Sequence, residues 1–277
     1  MEARRAELDA ACKLFMKRLT GPGDFLTGAR RAAIAREAAE AAESVACDKI
    51  RNIGKIFKGQ ELLKQVESLD LQYQYLASTT IGCLVHCVAN LQEDLDAEWY
   101  AAAVEKLAAE LGSVGEFEGG QDERIACLTE LVIVVAGTVG VRNFYLASGI
   151  VIPPLPPTTE GAPVFKRVSE FCSGKLERTG YAWGFQVIES KIVASGLEKI
   201  GQSLSEWIGN TNPMSPYSKM TPAPLSMSHQ HAWMEVMYVP PPDVINFWAK
   251  VPPGRCLDRP SMELVAGAYS GAVNCAF

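Results

Sequence analysis

Glu130-Leu-Val-Ile-Val-Val-Ala-Gly-Thr-Val-Gly-Val-Arg142 is the stretch that decides the fold class of this chain. Eleven uncharged residues lie between its two charged ends. A helix needs about 20 apolar residues to cross a hydrocarbon core, so the run is too short to span a bilayer and reads as a buried core segment. Positions 131–135 are rich in β-branched residues, which leaves a buried strand open as an alternative. The flanks favour a helix: Asp122 and Glu123 supply an acidic first turn, and the spacing predicts one apolar helix over about 122–148.

Outward from this segment, proline divides the chain. Of 16 prolines, only Pro22 precedes residue 153, and ten fall between Pro213 and Pro260. Proline removes a backbone donor and clashes inside helices, so the first 150 residues can be helical and residues 210–260 largely cannot. The spacing predicts helices near 2–19, over 27–58 with Gly59 at its end, at about 60–70 and 72–93, and from an Asp96 cap through Leu111. Pro153-Pro-Leu-Pro-Pro157 reads as a stiff, extended connector. Helical spacing returns at Pro163–Ser173 and Gly184–Gly209. Residues 210–260 combine proline with Tyr217, Trp233, Met234, Met237, Tyr238, Phe247 and Trp248, too much apolar area to leave on a free tail. They are expected to pack as an extended arm, on their own domain or on a neighbour, with one short helix at Pro242–Lys250. The expected organisation is a mainly α helical bundle with a Pro-rich, largely extended C-terminal arm. Its parts are a helical domain over 1–150, a connector over 151–163, a second helical segment over 164–209 and the arm over 210–277.

Composition narrows the class. The chain has 277 residues, 48% of them hydrophobic and 21% charged, enough to bury a core and unlike a disordered chain. Eight dispersed cysteines, several within apolar helical patterns, read as buried reduced thiols. Residues 1–20 show helical spacing and no signal-peptide pattern, so the expectation is a cytoplasmic location without secretion or membrane contact. A net charge of −6 argues against a generic nucleic-acid binder.

The charge is nonetheless segregated. Residues 1–59 carry a net +4, residues 60–130 a net −11 and residues 131–277 a net +1. Lys13 and Lys17 share a helical face with Arg18 at its edge; Arg30 and Arg31 open a helix; Arg51, Lys55 and Lys58 share another face, continued by Lys49. Each cluster has a solvated face as its plain reading. Together they suit either nonspecific phosphate contact or a head-to-tail contact with the acidic segment of a neighbour.

Chemical motifs are absent from this reading. Cys83-Leu-Val-His86-Cys87 and His229-Gln-His231 lack the paired spacings of zinc sites. Gly54-Lys-Ile-Phe-Lys-Gly59-Gln60 lacks the Lys-Ser/Thr of a phosphate loop. Gly137-Thr-Val-Gly140 lacks the third glycine of a dinucleotide fingerprint. No catalytic residue, cofactor or metal site is assigned, and a non-enzyme is expected.

The alanine-heavy helices (Arg31-Ala-Ala-Ile-Ala35, Ala38-Ala39, Ala41-Ala42, Ala101–Ala103) precede Met214-Ser-Pro216 and Thr221-Pro-Ala-Pro224-Leu-Ser226. In length and this composition the chain resembles the proline-alanine-serine-rich proteins of polymycoviruses, fungal double-stranded RNA viruses. The resemblance implies a protein that coats the genome in place of a conventional capsid. The resulting expectation is a self-assembling coat or nucleocapsid-type protein, forming ordered, filamentous homo-oligomers around RNA. Lys13, Lys17, Arg18, Arg30, Arg31, Arg51, Lys55 and Lys58 would hold phosphates, and Trp233, Tyr238, Phe247 and Trp248 would anchor subunits. The alternative is a helical adaptor that binds a protein partner and no nucleic acid.

Overall fold

The computed structural model describes residues 2–44, 46–71, 73–76, 79–91, 95–113, 119–172, 176–179, 182–185, 222–237, 260–262 and 264. These are mainly helical: α1 (Glu2–Leu19), α2 (Gly28–Ala41), α3 (Cys47–Ile56), α4 (Gly59–Glu67), α5 (Thr79–Asn90), α6 (Ala97–Ser113), α7 (Gln121–Ala147) and α8 (Pro224–Met237). A short hairpin, β1 (Leu176–Thr179) with β2 (Ala182–Phe185), pairs antiparallel with Leu176 opposite Phe185.

The run that decided the class lies inside α7, so the strand alternative falls away. This helix packs against α1, α2, α5, α6 and α8 and forms the axis of the bundle. Leu131, Val134 and Val135 are fully buried there. Among the described residues it is also the one helix long and apolar enough to cross a membrane, and most of it is buried inside the protein. Its start is held by Glu123, whose carboxylate accepts from the Gly120 N–H at 2.9 Å. Asp96 caps α6 as expected, accepting from the Trp99 N–H at 2.8 Å.

Four expectations are corrected. The helix expected over 27–58 is two helices. After Ala41 the backbone turns, because Ser44 Oγ accepts from the Ala46 N–H at 3.0 Å and offers the chain a local alternative to helix. The carbonyl left open at Ala41 accepts from Cys47 Sγ and Asn90 Nδ2. Gly59 opens α4 at φ +56° rather than ending a helix. The helix expected at 72–93 begins only at Thr79, since the Gln74 and Tyr75 N–H groups donate to Glu37 Oε2 at 3.1 Å.

Third, of the helix expected at Pro163–Ser173, the described residues 163–172 hold a 3₁₀ turn at Val168–Glu170 and no α-helix. Gly184, expected to begin a helix, lies in β2; residues 186–209 are outside the described part. Fourth, the arm expected to be largely extended contains the fourteen-residue α8. Proline is tolerated at the first helical position, where its missing N–H would have no partner, and Pro224 takes that position. No further proline occurs before Pro240, so the window is free to be helical. The Pro242–Lys250 helix lies outside the described residues.

Six cysteines (Cys12, Cys47, Cys83, Cys87, Cys127 and Cys172) are buried free thiols. Cys256 and Cys275 lie outside the described residues.

Candidate functional site

The eight basic residues expected to hold phosphates are divided by the fold. Lys13 and Lys17 are exposed on α1, where Lys13 pairs with Asp9 at 2.7 Å. Arg18 and Arg30 are half-buried. Arg51 and Lys55 are exposed on α3, and Lys58 is exposed just before α4. Arg51 has only a loose pair with Asp48 at 3.8 Å, and Lys55 donates to neutral Asn52 at 3.4 Å. Because α1 packs on α2, α7 and α8 while α3 packs on α4 and α5, the two groups occupy different parts of the bundle.

Arg31 is a correction. Its side chain is completely buried and ion-paired to equally buried Glu130, so it reaches no phosphate. A desolvated guanidinium needs an opposite charge and acceptors for its donors. The same Nη1 donates to Ser226 Oγ at 2.7 Å, and Nη2 donates to the Arg18 carbonyl at 3.3 Å. Glu130 in turn accepts from three consecutive backbone N–H groups, Asp24 at 3.2 Å, Phe25 at 2.7 Å and Leu26 at 3.1 Å. Gly23 is forced by this crowding: a Cβ there would collide with the Glu130 carboxylate and the Arg31 side chain.

Asp24 completes the cluster. Its carboxylate accepts from the N–H groups of Leu225 (2.7 Å) and Ser226 (2.9 Å) and from Ser226 Oγ (2.6 Å). These are open donors of the first turn of α8, so a residue about 200 positions upstream caps that helix, where a negative charge is also favoured by the helix dipole. Burial pushes the carboxyl groups of Asp24 and Glu130 upward, Glu130 to about 7, against the lowering pull of Arg31. Two carboxyl groups around one guanidinium keep a proton more readily than isolated ones.

Of the four expected aromatic anchors, Trp233 is among the described residues. Trp233, expected at a subunit contact, packs within its own chain. It stacks on Phe15 with centroids 5.0 Å apart and planes 7° from parallel, and Nε1 donates to Cys12 Sγ at 3.4 Å. Gly137 and Gly140, dismissed as a nucleotide motif, lie against these two rings: a Cβ at Gly137 would stand 2.8 Å from Phe15 and one at Gly140 would stand 3.2 Å from Trp233. Tyr238, Phe247 and Trp248 lie outside the described residues.

A second buried pair joins α2 to α5. Glu37 Oε1 lies 3.2 Å from His86 Nε2, and burial lowers the His86 pKa although the carboxylate opposes it. His86 is therefore held by a core carboxylate, while His229 and His231 sit on α8. Among the described residues no three potential metal ligands gather.

Sequence reasoning missed Asp24, Glu37 and Glu130 as carboxylates that tie distant backbone into the core, and read Glu123 only as the acidic start of its own helix. One signal was present: Glu123 and Glu130 are seven residues apart, on one face of an otherwise apolar helix. What they bind, residues 168 and 24–26, has no such signal.

No protein-family model, curated protein or solved structure matches this chain.

Proposed function

We propose that this chain is a self-assembling structural subunit of coat or nucleocapsid type, gripping RNA through phosphates. The observation that carries this reading is the exposed basic side of α3 (Lys49, Arg51, Lys55) next to α4, which carries exposed Glu61 and Glu67; exposed Glu98 and Glu105 lie on α6, which packs on α4. Two neighbouring surfaces of opposite sign are complementary to a second copy. The basic one, with only loose internal pairing, is also suited to a phosphate backbone. Phosphate binding of this kind weakens steeply with salt as counterions are released.

The adaptor reading draws on a specific observation too: burial of Arg31 removes one of the eight basic residues from any RNA surface, in a chain of net charge −6. Light scattering across a salt series, with and without nuclease treatment, separates the two. Large regular assemblies with nuclease-sensitive absorbance support the coat. A discrete small oligomer indifferent to RNA supports the adaptor. Reversal of Lys49, Arg51 and Lys55 to Glu weakens RNA binding or assembly in the coat; if neither changes, that face is only solvated and the proposal fails.

A further inference from the structure

The connector after α7 carries an arrangement on which the proposed function does not draw. In Val151-Ile-Pro-Pro-Leu-Pro-Pro-Thr-Thr-Glu160, four prolines hold their own φ near −65° and restrict the residues before them to extended conformations. All the Xaa–Pro bonds in it are trans. These restrictions favour a polyproline II ribbon over residues 152–157, in which residues three apart lie along one ridge.

Burial follows that three-residue period. Ile152 and Leu155 pack against the hydrophobic core, and Thr158 Oγ1 accepts from Arg36 Nη2 at 3.1 Å. One residue earlier in each turn, Val151, Pro154, Pro157 and Glu160 are all exposed, Val151 to 88%. The third ridge, Pro153 and Pro156, is half-buried. The far end is fixed by the Thr159 N–H donating to the Thr20 carbonyl at 3.1 Å. One ridge is held against the protein, one is exposed, and the third is half-buried between them.

We propose that this ribbon is a preformed docking site for a proline-recognition domain, one whose aromatic-lined groove takes two successive Xaa–Pro dipeptides. Such grooves read two ridges of a polyproline II helix and leave the third facing away. Here Pro153-Pro154 and Pro156-Pro157 are the two dipeptides. Leu155, the spacer that a groove does not touch, is the residue the chain uses to anchor the ribbon to its own core. A free proline-rich peptide still loses freedom on binding, whereas this ribbon is ordered beforehand, which favours affinity. The surface is separate from the α3 face and does not depend on the coat reading.

The test titrates the full chain against a panel of recombinant SH3 and WW domains by calorimetry. At least one domain is expected to bind saturably. Replacing the groove tryptophan of that domain by alanine is expected to abolish the signal, a control that leaves this chain unaltered. In the chain itself, the exposed pair Pro154→Ala/Pro157→Ala is expected to weaken binding by about tenfold or more, with an unchanged circular dichroism spectrum. No binding across the panel overturns the proposal. So does binding that survives both the groove substitution and the proline pair, or a proline pair that alters only self-association, which would make a second copy the occupant.

Discussion

Arg31 and Glu130 are 99 residues apart in sequence and face each other with neither side chain exposed. Around this pair the α1–α2 loop, the axial helix α7 and α8 are tied together: Glu130 holds the loop, Asp24 in that loop caps α8, and Ser226 of α8 accepts from Arg31. The connector joins the same loop from another side, since Val164 and Phe165 donate to the carbonyls of Gly23 and Asp24 at 2.9 Å. Loop 20–26 is therefore the point where segments from four parts of the chain meet.

Substitution of Arg31 by Met leaves two buried carboxyl groups without their cation. The expected cost is about 3–5 kcal/mol, the range for breaking one side of a buried pair. Exposed Lys17→Ala should change stability by no more than about 0.5 kcal/mol. Urea unfolding of both variants checks this; equal, small effects would remove the structural role assigned to Arg31.

Asp24→Asn keeps the shape but loses an acceptor opposite the first turn of α8, at an expected cost of about 1–3 kcal/mol. The helix should loosen before the rest of the bundle. Limited proteolysis within 222–237, compared with cleavage in α7, reads this directly. Unchanged protection of α8 would show that packing on Phe15 holds it without the cap.

The raised carboxyl groups make a pH prediction. A folded chain that holds the Glu130 proton up to about 7, against an ordinary value of 4.5, binds protons more tightly than the unfolded chain. This contribution is complete below about 4.5 and is lost as pH rises to about 7. The stability of wild type relative to Glu130→Gln should fall across that window, measured by urea unfolding. A flat difference would mean that Glu130 stays ionised beside Arg31.

The histidines of α8 act with the opposite sign. Burial lowers His229 and His231 to about 3, and for His229 the charges of Arg18 and Arg31 add to it. Their contribution is present above the ordinary value of 6.5 and is lost as pH falls towards 3. His229→Gln/His231→Gln should therefore flatten the acid limb of stability, monitored by circular dichroism. Between about 4.5 and 6.5 this slope opposes the one from Glu130, so wild-type stability varies less there than either group alone implies.

Gly137→Ala tests the seat of the rings. Alanine is the better helix former by about 1 kcal/mol. Here the added Cβ would meet Phe15, which Trp233 holds from another side, and overpacking costs about 1–3 kcal/mol. A lowered thermal midpoint is expected; a raised one would show that Phe15 moves freely.

The mainly helical class was legible in the sequence because it rests on local terms. Proline positions, apolar spacing and caps such as Asp96 act within a few residues, and α1, α6 and α7 follow them closely. The break after Ala41, the late start of α5 and the helix at Pro224–Met237 were decided by tertiary structure, because partners distant in sequence, Asn90, Glu37 and Asp24, take up backbone groups there. Arg31 shows the limit most plainly. Its neighbours Arg30 and Arg36 made it look like part of a basic surface, and nothing within a helical turn distinguishes it. Whether an arginine faces phosphate or a buried carboxylate depends on what stands across the core, and here that is Glu130, brought to it by the folding of the whole bundle.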